Sequence, residues 1–234
     1  MSNTSYLETL NKSQLEAVKN TEGPNLVLAG ARVTVVDNLE RGSFNSISDI
    51  INDIVFMDLD MSLEKECDAA FLQEYDIVVH FAAETGTGQS MYEVQRYNDV
   101  NVMGTTNILE WVRKINKNSH KCPIVYAGTS SIHGDRFANP YTLTKGLGEE
   151  MVQMYNKLFD VPSAICRFYN VYGLNQTMDG EYRTVVAIFE SQYGLKQPLT
   201  VTGDGEQRRD FTHVFDIVDG FYKAGKSLLI TNEF

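Results

Sequence analysis

The feature that most constrains this chain is a recurring rhythm of β-prone runs, at residues 25–37, 54–59, 76–83, 123–127 and 163–168, each separated from the next by a stretch long enough for a helix. Antiparallel strands are joined by short turns, whereas parallel strands need crossovers of a dozen or so residues, usually helical. The spacing therefore predicts an α/β chain whose sheet is mostly parallel and doubly wound, with helices on both faces.

Two of the intervening helices can be placed. Val100, Gly104, Ile108, Val112 and Ile115 share one face, and Leu147, Met151, Tyr155 and Leu158 share another; both read as core-facing stripes. Residues 5–20 carry a looser helical pattern that Glu22-Gly23-Pro24 interrupts. A turn-rich stretch at 173–180 reads as the edge of a smaller lobe. With 234 residues, 43% of them apolar, the chain can bury one sizeable core.

A formal charge of −11 argues against nucleic acid or an anionic membrane as a main partner, because phosphate binding depends on clustered Lys and Arg. Cys67, Cys122 and Cys166 are odd in number and widely spaced, so neither a disulfide framework nor a zinc site is expected, and a reducing cytoplasm fits. The four histidines lack metal-ligand spacing and read as core or loop positions. Neither a secretory signal nor a membrane-spanning run is read from the sequence.

The densest chemistry lies in Tyr141-Thr-Leu-Thr-Lys145, just after a strand ending in Gly128-Thr129-Ser130-Ser131. Four residues make about one helical turn, so Tyr141 and Lys145 share a face. A nearby ammonium favours the phenolate, which predicts a lowered Tyr141 pKa and a phenol able to act as a base. Thr129 can hydrogen-bond the same substrate oxygen. Asp37 ends one strand, where a carboxylate can accept both hydroxyls of a ribose, and Asp58 ends the next. Asp37-Asn38 is also a good turn pair, and Asp60 could equally cap the following helix. Gly86-Thr-Gly-Gln-Ser90 either lets a sugar or nicotinamide approach the backbone or is a plain loop. The Arg209 guanidinium suits phosphate oxygens, or pairs with Asp204 or Asp210.

Val125-Tyr-Ala-Gly-Thr-Ser-Ser-Ile-His-Gly134, Asn139-Pro-Tyr-Thr-Leu-Thr-Lys145, Arg167-Phe-Tyr-Asn-Val-Tyr-Gly173 and Gly203-Asp-Gly-Glu-Gln-Arg-Arg-Asp-Phe211 resemble four successive blocks of the extended short-chain dehydrogenases. The likeness, to the NAD-dependent sugar-nucleotide epimerase/dehydratase family, covers roughly residues 32–226. It implies a Rossmann-like sheet, with Tyr141 as acid/base, Lys145 anchoring the nicotinamide ribose and Thr129 as the hydroxyl partner. It implies NAD as cofactor, held by Asp37, Asn38, Asp58, Leu59, Phe81, Ala82, Ala83 and Tyr169 together with Tyr141 and Lys145. An acid at Asp37 favours NAD over NADP, whose 2′-phosphate it would repel. A nucleotide-sugar substrate would meet Gly86, Thr87, Ser130, Ser131, Asn170 and Arg209. Dehydratases of the family tend to carry Asp-Glu after the catalytic Thr, and related decarboxylases Ser-Glu; Ser130-Ser131 therefore favours epimerisation at the sugar 4-position through a keto sugar. The resemblance also implies a homodimer through the two helices placed above.

The sequence departs from that family at its start. A strand, a Gly-x-x-Gly-x-x-Gly turn and a helix should precede the strand at 33–37, and there is no room for them between Leu26 and Asp37. Gly30-Ala31 can instead make a type II′ hairpin turn, with Leu26–Ala29 running antiparallel to Val33–Asp37, or the run is one long strand. Residues 10–31, including Gln14, resemble the opening of superfamily 1 DNA helicases, but the Gly-Lys-Thr of a phosphate-binding loop is missing and helicase function is not expected. The expected organisation is a foreign helix and strand at 1–31, an incomplete dinucleotide-binding domain at 32–172, and a partial substrate lobe at 173–234 interleaved with the sheet. Two functions follow: a nucleotide-sugar epimerase, or an inactive or cofactor-free fragment that only binds nucleotide sugars.

Overall fold

The computed structural model describes residues 32–70, 74–116, 121–173, 176 and 183–231. Its strands are β1 (Val33–Asp37), β2 (Ile54–Asp58), β3 (Val78–His80), β4 (Ile124–Thr129), β5 (Ser163–Phe168), β6 (Val171–Tyr172) and β7 (Thr212–His213). Its helices are α1 (Glu64–Ala70), α2 (Thr87–Ser90), α3 (Val94–Asn98), α4 (Thr105–Ile115), α5 (Pro140–Phe159), α6 (Val185–Gly194) and α7 (Val214–Thr231). Among the described residues every strand pair is parallel: β1 beside β2, β3-β4-β5 in that order, and β6 beside β7. The N-terminal helix and hairpin expected before residue 32, the helicase-like opening, His120 and most of the turn-rich stretch at 173–180 lie outside the described residues.

β4 shows why the sheet is doubly wound. All six of its residues are buried, which is the reason its run is apolar without alternation. Ile124 and Tyr126 point into a core built with Cys67, Ile108, Val112 and Val152 from α1, α4 and α5. Val125 and Ala127 point the other way, against Val218 and Phe221 of α7. Full burial of an aromatic such as Phe221 contributes about 1.5–3 kcal/mol relative to leaving it in water. No helix among the described residues is long and apolar enough to cross a membrane.

Both predicted helical stripes need correction. The first holds at Ile108 and Val112, but the chain is π-wound from Asp99 to Gly104, which adds a residue to the turn and rotates the stripe. Val100 consequently lines a cavity instead of the core. In α5, Tyr155 is buried and Met151 packs against the same core, but Leu158 is 62% exposed. The inward face of α5 instead carries Thr144, Lys145, Gly148, Glu149 and Val152, three of them polar or charged, and such a face is invisible to a search for apolar periodicity. Asn139 starts this helix, its Oδ1 accepting from the Thr142 N–H at 2.8 Å, with Pro140 fixing the first turn. Asp160, in the left-handed region at φ 55°, ends it.

Candidate active site

The carboxyl end of β4 and the first turns of α5 meet at one place. Thr129, the last residue of β4, is buried, and its Oγ1 accepts from the Ser131 N–H at 3.3 Å while lying 2.7 Å from the Ser131 hydroxyl. The Thr129 side chain also lies near enough to the Tyr141 phenol to act on its ionisation. One turn along α5, Lys145 is 4% exposed, with its Nζ 4.4 Å from the centre of the Tyr126 ring. The three residues that the sequence singles out for catalysis are therefore brought together, with Ser130 and Ser131 in the short turn beside them.

The electrostatics differ from expectation. Burial raises the Tyr141 pKa and the Thr129 side chain offsets part of that rise; lowering by a Lys145 ammonium is not found. The same burial pulls Lys145 itself down to about 7, against which Glu149 acts to keep it charged. Desolvation disfavours both charged forms, so phenol and amine both drift toward neutrality. His80, 3% exposed and 2.9 Å from the Thr105 hydroxyl, is pushed down to about 3 by burial first and the Lys145 charge second. It is a neutral core histidine, as its sequence context predicts.

His80, on which the Lys145 charge acts, also lines a cavity of about 90 Å³ together with Asp37, Asn38, Leu59, Asp60, Ala82 and Ala83, among others; Thr129, Tyr141 and Lys145 do not line it. The Asp37 carboxylate accepts from the Leu39 N–H at 2.7 Å; burial raises its pKa, that bond lowers it, and the nearby Asp58 raises it again. Two proposed cavity residues are displaced. Asp58 is exposed at the end of β2 and does not line the cavity, and Asp60 takes the place instead, accepting from the Ser62 N–H at 2.8 Å in a local turn. The Phe81 ring lies 4.5 Å from that of Phe221, inside the core against α7. Alternation explains Phe81, because neighbouring residues of an extended segment face opposite sides of the sheet.

Further out, Tyr169 is 41% exposed and stacks on His133 with ring centroids 6.5 Å apart. Gly86 accepts the Tyr97 hydroxyl at its carbonyl, 2.6 Å away, and Thr87 begins α2, so this segment is a short helix and not a plain loop. Asn170 donates to the Asp210 carbonyl at 2.8 Å, which sets it next to Arg209 in space. Arg209 is exposed and donates to the Arg208 carbonyl; among the described residues it forms no ion pair with Asp204 or Asp210.

Several buried polar residues escape a reading of the sequence. Asn101, in the π-wound turn and 1% exposed, accepts from the Glu84 N–H at 2.8 Å and donates to both the Glu84 carbonyl and the Thr144 hydroxyl at 3.1 Å. It ties the segment after β3 to α5. The Glu84 carboxylate takes Arg41 at 2.9 Å and Arg96 Nε at 2.6 Å. Neither group leaves a sequence signal, since each joins segments distant along the chain. Glu149 leaves a partial one, standing two turns after Tyr141 on the same face of α5.

The described residues fit the two ends of a dinucleotide. The cavity offers a carboxylate for a ribose and small or apolar walls for a base, and the buried Lys145 with the half-buried Tyr141 offers an amine and a phenol on one helix face. Among these residues, no cluster of three or more potential metal ligands is present.

A sequence profile of the NAD-dependent epimerase/dehydratase family matches residues 24–228. A putative UDP-glucose 4-epimerase of Methanocaldococcus jannaschii is 33% identical over 202 residues, 79% of this chain and 62% of that protein. Among solved structures, a UDP-glucose 4-epimerase of Thermotoga maritima, determined with UDP-glucose, is similar with a TM-score of 0.73 and 25% identity, covering 81% of this chain and 64% of that one. A UDP-glucuronic acid 4-epimerase of Bacillus cereus, determined with UDP-glucuronic acid and NAD, gives 0.68 and 28%, covering 81% and 63%. The chain thus spans about half to two thirds of the length of the curated relatives it matches. Its parallel doubly wound sheet is the Rossmann-like fold of these neighbours, and by the profile match over most of its length the chain belongs to the NAD-dependent epimerase/dehydratase family.

Proposed function

We propose that this chain is the catalytic body of an NAD-dependent 4-epimerase acting on nucleotide sugars of the UDP-hexose type. The observation that carries the reading is the convergence of Thr129, Tyr141 and Lys145 at the end of β4, with His80, on which Lys145 acts, lining the cavity together with Asp37, Ala82 and Ala83. NAD, when bound, supplies the hydride acceptor and donor for a reversible oxidation at the sugar 4-position. Asp37 and the cavity walls hold its adenosine end and Lys145 its nicotinamide ribose. Tyr141 takes the proton of the sugar 4-hydroxyl and gives it back to the same oxygen once the keto sugar has turned over to offer its other face for reduction, with Thr129 hydrogen-bonded to that oxygen. Asn170 and Arg209 bind the sugar-nucleotide diphosphate, the guanidinium supplying a local positive site in an acidic protein. Ser131 is hydrogen-bonded to Thr129 and adds no carboxylate to the site, which supports epimerisation over water elimination. The three free cysteines suit a reducing cytoplasm.

A second reading, a fragment that binds nucleotide sugars without converting them, is favoured by one observation: no glycine-rich turn precedes Val33 in the sequence. Two measurements separate the readings. Specific binding of NAD raises the melting temperature by mass action. UDP-glucose or UDP-glucuronate supplied with NAD is then converted to its 4-epimer, and Tyr141→Phe abolishes conversion while leaving the NAD-dependent rise in melting temperature. Absence of any rise at millimolar NAD would overturn the epimerase assignment.

A further inference from the structure

The Glu149 carboxylate is a charged group buried on a helix face that packs against the sheet, a placement that is costly unless each oxygen is used. Its side chain is 3% exposed. Oε2 accepts from Arg167 on β5 through Nε at 3.0 Å and Nη2 at 2.9 Å, and Oε1 accepts from the backbone N–H of Thr129 at 3.4 Å. β4 makes room for it, because a side chain on Gly128 would collide with this carboxylate. Three elements therefore meet on one group, which stands a single turn beyond Lys145 and two beyond Tyr141.

We propose that Glu149, clamped by Arg167, is a positioning residue for the tyrosine–lysine pair: it grips the end of β4 so that Thr129 keeps its place beside Tyr141, and it sets a carboxylate one helical turn from the Lys145 amine. The inference deepens the epimerase reading and rests on it for its functional meaning, though not for its physical test. Thr129 links the two halves of the device, since its N–H meets Glu149 while its side chain acts on the Tyr141 phenol. The groups that act on Lys145 or lie against it are Glu149 from α5, the Tyr126 ring from β4 and the neutral His80 from β3, with the Arg167 charge behind Glu149 on β5. Of these Glu149 alone is an opposite charge, and Arg167 tempers it.

The test is a pH titration of protein carrying ¹³C-labelled lysine, following the Cε resonance of Lys145, which is identified by its loss in Lys145→Met. Glu149→Gln keeps the shape and an acceptor for Thr129 but removes the charge, and is expected to move the Lys145 midpoint down by about one pH unit while exposed lysines stay fixed. Arg167→Met leaves the carboxylate unbalanced and is expected to move the same midpoint up. An unchanged midpoint in Glu149→Gln overturns the proposal, as does a downward shift in Arg167→Met; should Glu149→Gln not fold, the arginine variant decides alone. In turnover with UDP-glucose, Glu149→Gln is expected to lower kcat by about tenfold or more with KM nearly unchanged. If the wild-type protein converts no nucleotide sugar, the epimerase reading fails while the lysine titration still decides the role of Glu149.

Discussion

Asn101 makes three side-chain hydrogen bonds without contact with solvent, two to the backbone of Glu84 and one to the Thr144 hydroxyl. Truncating it strands a buried N–H and carbonyl on the segment after β3, and each such loss costs about 1–3 kcal/mol. Asn101→Ala is therefore expected to lower the urea midpoint with an unchanged m-value, and to weaken NAD binding because Glu84 adjoins Ala82 and Ala83 of the cavity wall. Binding at wild-type strength in a destabilised variant would show that the clamp serves stability alone. The contrast with Tyr141 is instructive for what a sequence reveals. Thr129, Tyr141 and Lys145 fall within one short block whose spacing matches a strand end and a helical turn, so local geometry suffices to unite them. Asn101, Glu84 and Thr144 come from three separate segments, and only the packing of α5 against the π-wound turn brings them together.

At the scale of elements, the packing of α5 against β4 depends on a close approach. A Cβ at Gly148 would collide with the Tyr126 hydroxyl, and that ring in turn lies under Lys145. On propensity alone, glycine to alanine inside a helix stabilises by about 1 kcal/mol. Here the added methyl must push α5 off the strand or displace a buried ring, and overpacking of this kind costs about 1–3 kcal/mol. Gly148→Ala is thus expected to lower the melting temperature, whereas Gly220→Ala in α7, which would meet nothing within 4 Å, is expected to leave it equal or raise it. Equal stabilisation by both substitutions would refute the close-packing argument. β4 was legible because a fully buried parallel strand leaves a continuous apolar run. The inner face of α5 was not, because its work is done by Lys145, Glu149 and small residues.

For the whole molecule, pH acts through two buried bases. His80 titrates near 3 when folded against 6.5 as its ordinary value, so between those limits the unfolded chain binds the extra proton. The His80 contribution is complete above pH 6.5 and is lost as the solution is acidified, by at most about 1.4 kcal/mol per pH unit. Lys145 follows the same sign in another window: lowered to about 7 from 10.5, it makes stability rise from pH 7 toward 10.5. Urea melts are expected to show midpoints increasing from pH 4 to pH 6.5, with a shallower slope in His80→Gln; a midpoint independent of pH in this range would contradict the buried neutral imidazole. A homodimer through α4 and α5 is a separate proposal, supported by the exposed Met154, Leu158 and Phe159 on α5. Leu158→Glu is expected to halve the mass seen by light scattering if that face is the contact, and an already monomeric wild type would exclude it.

The parallel pairing described for the sheet has a consequence for how the chain reaches this state. Among the described residues no paired strands are joined by a tight turn: Val78 finds Ile124, and Ile124 finds Ser163, only after an entire helical excursion has been ordered. Contacts so remote along the chain must close large loops before any reward arrives, which places such topologies on the slow side of folding rates. During that delay the apolar runs of β3, β4 and β5 stand uncovered, so recovery from denaturant should decline steeply with protein concentration well before the native state itself shows any weakness.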